Sequence, residues 1–102
     1  MKNTLNESLN KTLNRILIYL DLDRHYFYTD LRTKEYVYAR AIYYDYLLNC
    51  YSFTKKQISK MLGRRPSTLY NYTKIINNIL LNKEQPYIDL LQSIRGGGDG
   101  SL

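Results

Sequence analysis

Leu5, Leu9, Leu13, Ile16, Leu17 and Leu20 recur at steps of three and four residues, which lays one apolar stripe along a first helix. Asp21-Leu22-Asp23 interrupts the pattern and is expected to end it. Between Arg24 and Lys34 aromatic and charged residues mix without a period, which predicts a loop containing a short helical turn. Val37, Ala41, Tyr44 and Leu48 form the next stripe, beginning near Lys34 or Glu35. Thr54 then has the character of an N-cap: its hydroxyl can accept from the backbone N–H of Gln57, whose side chain can return the bond. Ile58, Met61 and Leu62 are the expected core positions of a helix over 55–62, and Gly63 ends it in the left-handed conformation glycine tolerates. Pro66 suits the first turn of the following helix, 66–82, where no N–H is needed. Leu69, Tyr72, Ile76, Ile79 and Leu80 give that helix a buried face, and Pro86 opens a last short helix with Ile88, Leu91 and Ile94 along one side.

This pattern predicts an all-α fold: a single small bundle of about five helices over residues 1–95, with a flexible Gly-rich tail over 96–102. At 102 residues and 44% hydrophobic content the chain can bury one modest core. Its apolar runs are too short to span a bilayer, and Met1-Lys2-Asn3-Thr4 lacks the apolar run of a signal peptide, so a cytoplasmic location is expected. Cys50 is the sole cysteine, which removes any internal disulfide or thiolate metal cluster, and beside Leu47-Leu48 it is expected to be a small buried hydrophobe. Twelve tyrosines with no tryptophan are expected to line the rims of the core with their hydroxyls reaching water.

Charge changes the picture. Residues 1–45 carry seven basic and six acidic side chains, residues 46–83 seven basic and none acidic, and residues 84–102 one basic and three acidic. One block therefore supplies the whole net charge of +6. A field of one sign recruits an acidic partner, of which nucleic acid is the commonest. Within that block a short helix, a glycine turn and a second helix with polar residues leading its exposed face make a helix-turn-helix over 54–82. The second helix of such a unit enters the DNA major groove with its amino-terminal residues toward the base edges. Once the apolar face is buried, Ser67, Thr68, Tyr70, Asn71 and Lys74 remain. Asn71 can pair with adenine through both its amide groups, and Ser67 or Thr68 can bond a base or a phosphate. Lys55, Lys56, Lys60, Arg64 and Arg65 cluster where the sugar-phosphate backbone would lie. From the residues alone two other readings stand: a solvated basic face, and a helix-turn-helix that docks on protein.

The runs Y-V-Y-A-R-A-I-Y-Y-D-Y-L-L, F-T-K-K-Q-I-S-K-M-L-G-R-R-P-S-T-L and K-I-I-N-N-I-L-L resemble the DNA-binding carboxy-terminal domain of the bacterial replication initiator DnaA. The likeness covers about residues 10–95 and is strongest at Ala39-Arg40, Ile58, Gly63-Arg64 and Ser67-Thr68-Leu69. It implies an all-helical domain that binds duplex DNA through a recognition helix and a basic loop entering the neighbouring minor groove. By position, Leu31-Arg32-Thr33-Lys34 matches that loop, with Arg32 at the place of the minor-groove arginine. Arg64, Ser67 and Thr68 match the first and the last two residues of the family motif R-D-H-S-T. Arg65-Pro66 replaces Asp-His, which read bases in the initiator's own box, so the resemblance carries over duplex binding and not that target sequence. A single Gly63 also stands where initiators usually have two. The chain contains no phosphate-binding loop and no room for an ATPase domain, so the likeness is to the reading head alone. A stand-alone domain of this kind is expected to act as a regulator or replication accessory of a phage or mobile element.

Other chemistry finds no support. His25 is the only histidine and has no ligand partner at metal spacing, and Asp21, Asp23 and Asp30 read as caps and solvated groups. No nucleophile–base pair can be argued, so neither catalysis, metal, cofactor nor small-molecule substrate is expected. The expected partner is double-stranded DNA. The alternative is a small interaction adaptor that docks its basic, Tyr-rich surface on an acidic partner protein.

Overall fold

The computed structural model describes residues 4–96, and the Gly-rich tail lies, from residue 97 on, outside the described residues. Among the described residues six helices follow one another: α1 (Thr4–Leu20), α2 (Arg24–Phe27), α3 (Lys34–Cys50), α4 (Lys55–Leu62), α5 (Pro66–Asn82) and α6 (Tyr87–Arg95). The all-α expectation holds, and the helical turn expected between Arg24 and Lys34 is α2, which brings the count to six.

α3 is the axle. Residues 39–47 are buried on every side of it, because α1, α2, α4, α5 and α6 all pack against this one helix. The single stripe expected there is thus too narrow: Val37 and Leu48 are only half-buried, while Ile42, Tyr43, Tyr46 and Leu47 point into the core from other faces. A helix apolar all round belongs at the centre of a bundle. Tyrosine hides this in the sequence, since its hydroxyl makes a core position look polar. Tyr44 is fully buried and its hydroxyl shares a hydrogen bond with Thr73 Oγ1 at 2.9 Å rather than reaching water. Tyr36 likewise accepts from the Asp23 N–H at 2.8 Å.

Three further expectations are corrected. Leu5 is exposed because α1 begins to pack only from Leu9 onward. Met61 is exposed as well, since the short α4 buries one line of residues, Ile58 with the half-buried Leu62. Cys50 is exposed at the last turn of α3, beyond the buried stretch that ends at Leu47.

The ends of the helices follow the local chemistry. Thr54 and Gln57 form the reciprocal capping box at the start of α4, and Gly63 closes it with φ 65° and ψ 35°. Pro66 occupies the first turn of α5. α6 is fastened to the axle by Asp45, a buried carboxylate that accepts from Arg95 Nε at 2.9 Å and Nη2 at 2.8 Å and from Asn49 at 2.8 Å. Lys34 at the start of α3 pairs with Glu84 just past α5, whereas Tyr44 ten residues on meets Thr73, so α3 and α5 run antiparallel.

Candidate nucleic-acid interface

α4, the Gly63 turn and α5 are held as a unit by bonds that the turn itself supplies. Gly63 N–H bonds Lys60 O at 3.3 Å, Arg64 N–H bonds Ser59 O at 3.0 Å, and the Ser59 hydroxyl donates to Arg64 O. Leu69, Tyr72, Ile76 and Ile79 bury one face of α5 against α3. The opposite face carries Ser67, Tyr70, Asn71 and Lys74, all exposed, with the Lys74 ammonium 4.9 Å from the centre of the Tyr70 ring. Lys55, Lys56 and Lys60 are exposed on α4, and Arg65 is exposed as the N-cap residue of α5.

The basic corner is less open than its sequence suggests. The Arg64 side chain is only 16% exposed, donating to Thr29 O at 2.6 Å and to the Asp30 carboxylate at 3.0 Å. It bolts the turn of the helix-turn-helix to the segment between α2 and α3. The sequence did not reveal the other half of that bolt. Arg40, on α3, is 4% exposed and donates from Nε to Phe27 O at 2.7 Å and from Nη2 to Tyr26 O and Thr29 O, both at 3.0 Å. These are carbonyls of the last turn of α2 and of the segment just after it; Tyr26 O also accepts from the Thr29 N–H and hydroxyl, so Arg40 ties together a turn that is already partly bonded. Thr29 O therefore accepts from two arginines of different helical units.

A cavity of about 150 Å³ opens beside this junction, lined by Asp30, Arg32, Arg40, Arg64, Thr68 and Asn71, with Val37, Tyr72 and Ile75 as its apolar wall. Burial, reinforced by the neighbouring Arg64 and Arg32 guanidiniums, pushes the Arg40 pKa down. Burial pushes the Tyr72 hydroxyl up, while the same three arginines pull it the other way. Like charges thus gather at one point, with Asp30 as the only carboxylate lining it.

Four of the residues singled out from the sequence, Arg32, Arg64, Thr68 and Asn71, meet at this cavity. Ser67, Tyr70 and Lys74 lie on the exposed face of the same helix, while Lys55, Lys56 and Lys60 are exposed on α4 and Arg65 at the start of α5. Lys34 is not brought in: it pairs with Glu84 beyond the far end of α5, and its ammonium lies 5.2 Å from the Tyr38 ring centre and 5.8 Å from that of Tyr87. The loop expected over 31–34 is therefore divided, with Arg32 at the cavity and Lys34 committed to packing. Sequence reasoning missed Asp30 and Arg40. The available signal for Arg40 was a cation flanked by Ala39 and Ala41 in the middle of a helix rich in apolar and aromatic residues, a position a charge occupies only when bonded.

No family model, no curated protein and no solved structure matches this chain. Among the described residues, no helix is long and apolar enough to cross a membrane.

Proposed function

We propose that the protein binds double-stranded DNA, with α5 as the recognition helix in the major groove and Arg32 reaching the adjoining backbone or minor groove. The observation that carries this reading is the convergence of Arg32, Arg64, Thr68 and Asn71 at the leading end of a helix whose outer face is polar and unobstructed by its neighbours in the bundle. Lys55, Lys56, Lys60 and Arg65 are exposed on the same helix-turn-helix and are free of ion pairs among the described residues, so they can exchange their counterions for phosphates. Ser67, Tyr70 and Asn71 are the groups positioned to read bases. The likeness to the DNA-binding domain of the DnaA initiator supports this assignment and a role in replication or its regulation.

The test is a fluorescence-anisotropy titration of the chain against labelled duplexes drawn from a random library, repeated across salt concentrations. About six phosphate contacts give a slope of log K against log salt near −5, which is roughly a thousandfold loss from low to physiological ionic strength. Lys56→Ala is expected to weaken all duplexes alike, and Asn71→Ala to change which duplexes are preferred. Absence of saturable binding at low salt, together with retention of an acidic protein partner, would give the adaptor reading instead.

A further inference from the structure

We propose that the cavity between the 29–33 segment and α5 is a seat for one phosphate group, with the Asp30 carboxylate holding its place until the phosphate arrives. The duplex-binding reading bears on this only as one source of that phosphate.

The donors are in surplus. Arg32 makes no ion pair or hydrogen bond among the described residues, and the same holds for the Thr68 hydroxyl and the Asn71 side-chain amide, yet all three line the cavity. Arg40 contributes its charge from below while its Nε and Nη2 stay on backbone carbonyls. Three guanidiniums against one carboxylate leave the cavity positive, and a volume of about 150 Å³ admits a phosphate with some of its waters. Guanidinium, hydroxyl and amide donors on several sides suit a tetrahedral oxyanion better than a planar carboxylate.

Asp30 is the clue to mechanism. Its side chain is 89% exposed although it bonds Arg64 at 3.0 Å, so water competes for it and it is held only weakly. A phosphate oxygen taking over the Arg64 Nη1 donor displaces a carboxylate that returns to solvent at little cost. No covalent bond changes, and the exchange is one anion for another.

The phosphate has two possible origins, the backbone of a duplex or a free phosphorylated molecule, and the experiment separates them. The full chain, ¹⁵N-labelled, is titrated with inorganic phosphate at constant ionic strength, with chloride as the reference, and separately with a short duplex. Saturable shifts centred on the amides of Arg32, Arg64, Thr68 and Asn71 are expected at millimolar phosphate. Asp30→Asn should tighten phosphate binding roughly two- to fivefold by removing the competing anion. Arg32→Ala should weaken it about tenfold. Both side chains are exposed, so neither change threatens the fold, and circular dichroism verifies this.

If phosphate and duplex compete for the same amides, the seat holds a backbone phosphate. If phosphate binds there and the duplex does not bind at all, the duplex reading falls while the seat stands and serves a free phosphorylated molecule. If the duplex binds but phosphate shifts no more than chloride does, and Asp30→Asn changes nothing, the seat is overturned while the duplex reading survives.

Discussion

The two ends of α5 are built on opposite principles. At the carboxy-terminal end Lys34 pairs with Glu84, and its ammonium lies over the rings of Tyr38 and Tyr87, which are themselves 4.6 Å apart. The Glu84 hydrogen bond raises the Lys34 pKa, as an attractive partner must. At the amino-terminal end the neighbours of Arg40 include two more arginines, and burial together with those charges lowers its pKa. One end is electrically satisfied and the other carries an excess that its own residues do not cancel. Stability alone favours the first arrangement. An end left with surplus charge, beside free hydroxyl and amide groups, is where a site is to be sought.

The largest effect that can break this contrast comes from the buried arginine. Arg40→Ala removes the side-chain donor to Phe27 O, takes one of several donors from Tyr26 O and Thr29 O and leaves a gap in the core, and is expected to cost about 3 kcal/mol, lowering Tm by roughly 12–20 °C. Urea denaturation measures it, and a cost under about 1 kcal/mol would mean that water satisfies those carbonyls equally well.

Alkaline pH attacks both ends together. Burial pushes the Tyr43 hydroxyl from its ordinary 10.0 up to about 12. It also raises Tyr72 at the charged end and Tyr38 and Tyr87 at the paired end. The folded chain holds these protons more tightly than the unfolded chain does. Their contribution is therefore complete below about pH 10 and is lost as pH climbs through about 12, with Tyr43 alone accounting for about 3 kcal/mol. A denaturation series from pH 8 to 12 should show a flat region followed by a steep fall; an unchanged midpoint at pH 12 would show that these hydroxyls reach solvent.

A smaller and sharper comparison uses two cations of one loop. Arg32→Ala is expected to lower duplex affinity about tenfold, and Lys34→Ala by less than about twofold, because Lys34 is already neutralised. Equal losses in anisotropy titrations would dissolve the distinction. Smallest of all, Lys83 caps α5 at φ 50°, in the left-handed region that glycine occupies without strain. Lys83→Gly should raise stability by a few tenths of a kcal/mol, up to about 1, and leave phosphate and duplex binding unchanged.

The elements that announce themselves chemically were legible in the sequence. The Thr54–Gln57 capping box, the Gly63 turn, Pro66 in the first turn and the leucine spacing of α1 each depend on near neighbours, and each is present. What could not be read was everything set by elements distant in the chain. Whether Arg64 is free depends on Asp30, 34 residues earlier, and the fate of Lys34 depends on Glu84. The tyrosines of α3 disguised a helix enclosed over residues 39–47 as an amphipathic one. Cys50 and Met61 were misplaced because apolar character says that a residue can be buried, and not that a neighbour is there to bury it.

The oxygen of Thr29, gripped by Arg40 and by Arg64, makes the leading end of α5 inherit its attitude from the axle of the bundle. The outward residues Ser67, Tyr70 and Asn71 take no part in that grip. Those three positions are thus decoupled from the scaffold, and they can be rewritten while the architecture behind them stays fixed.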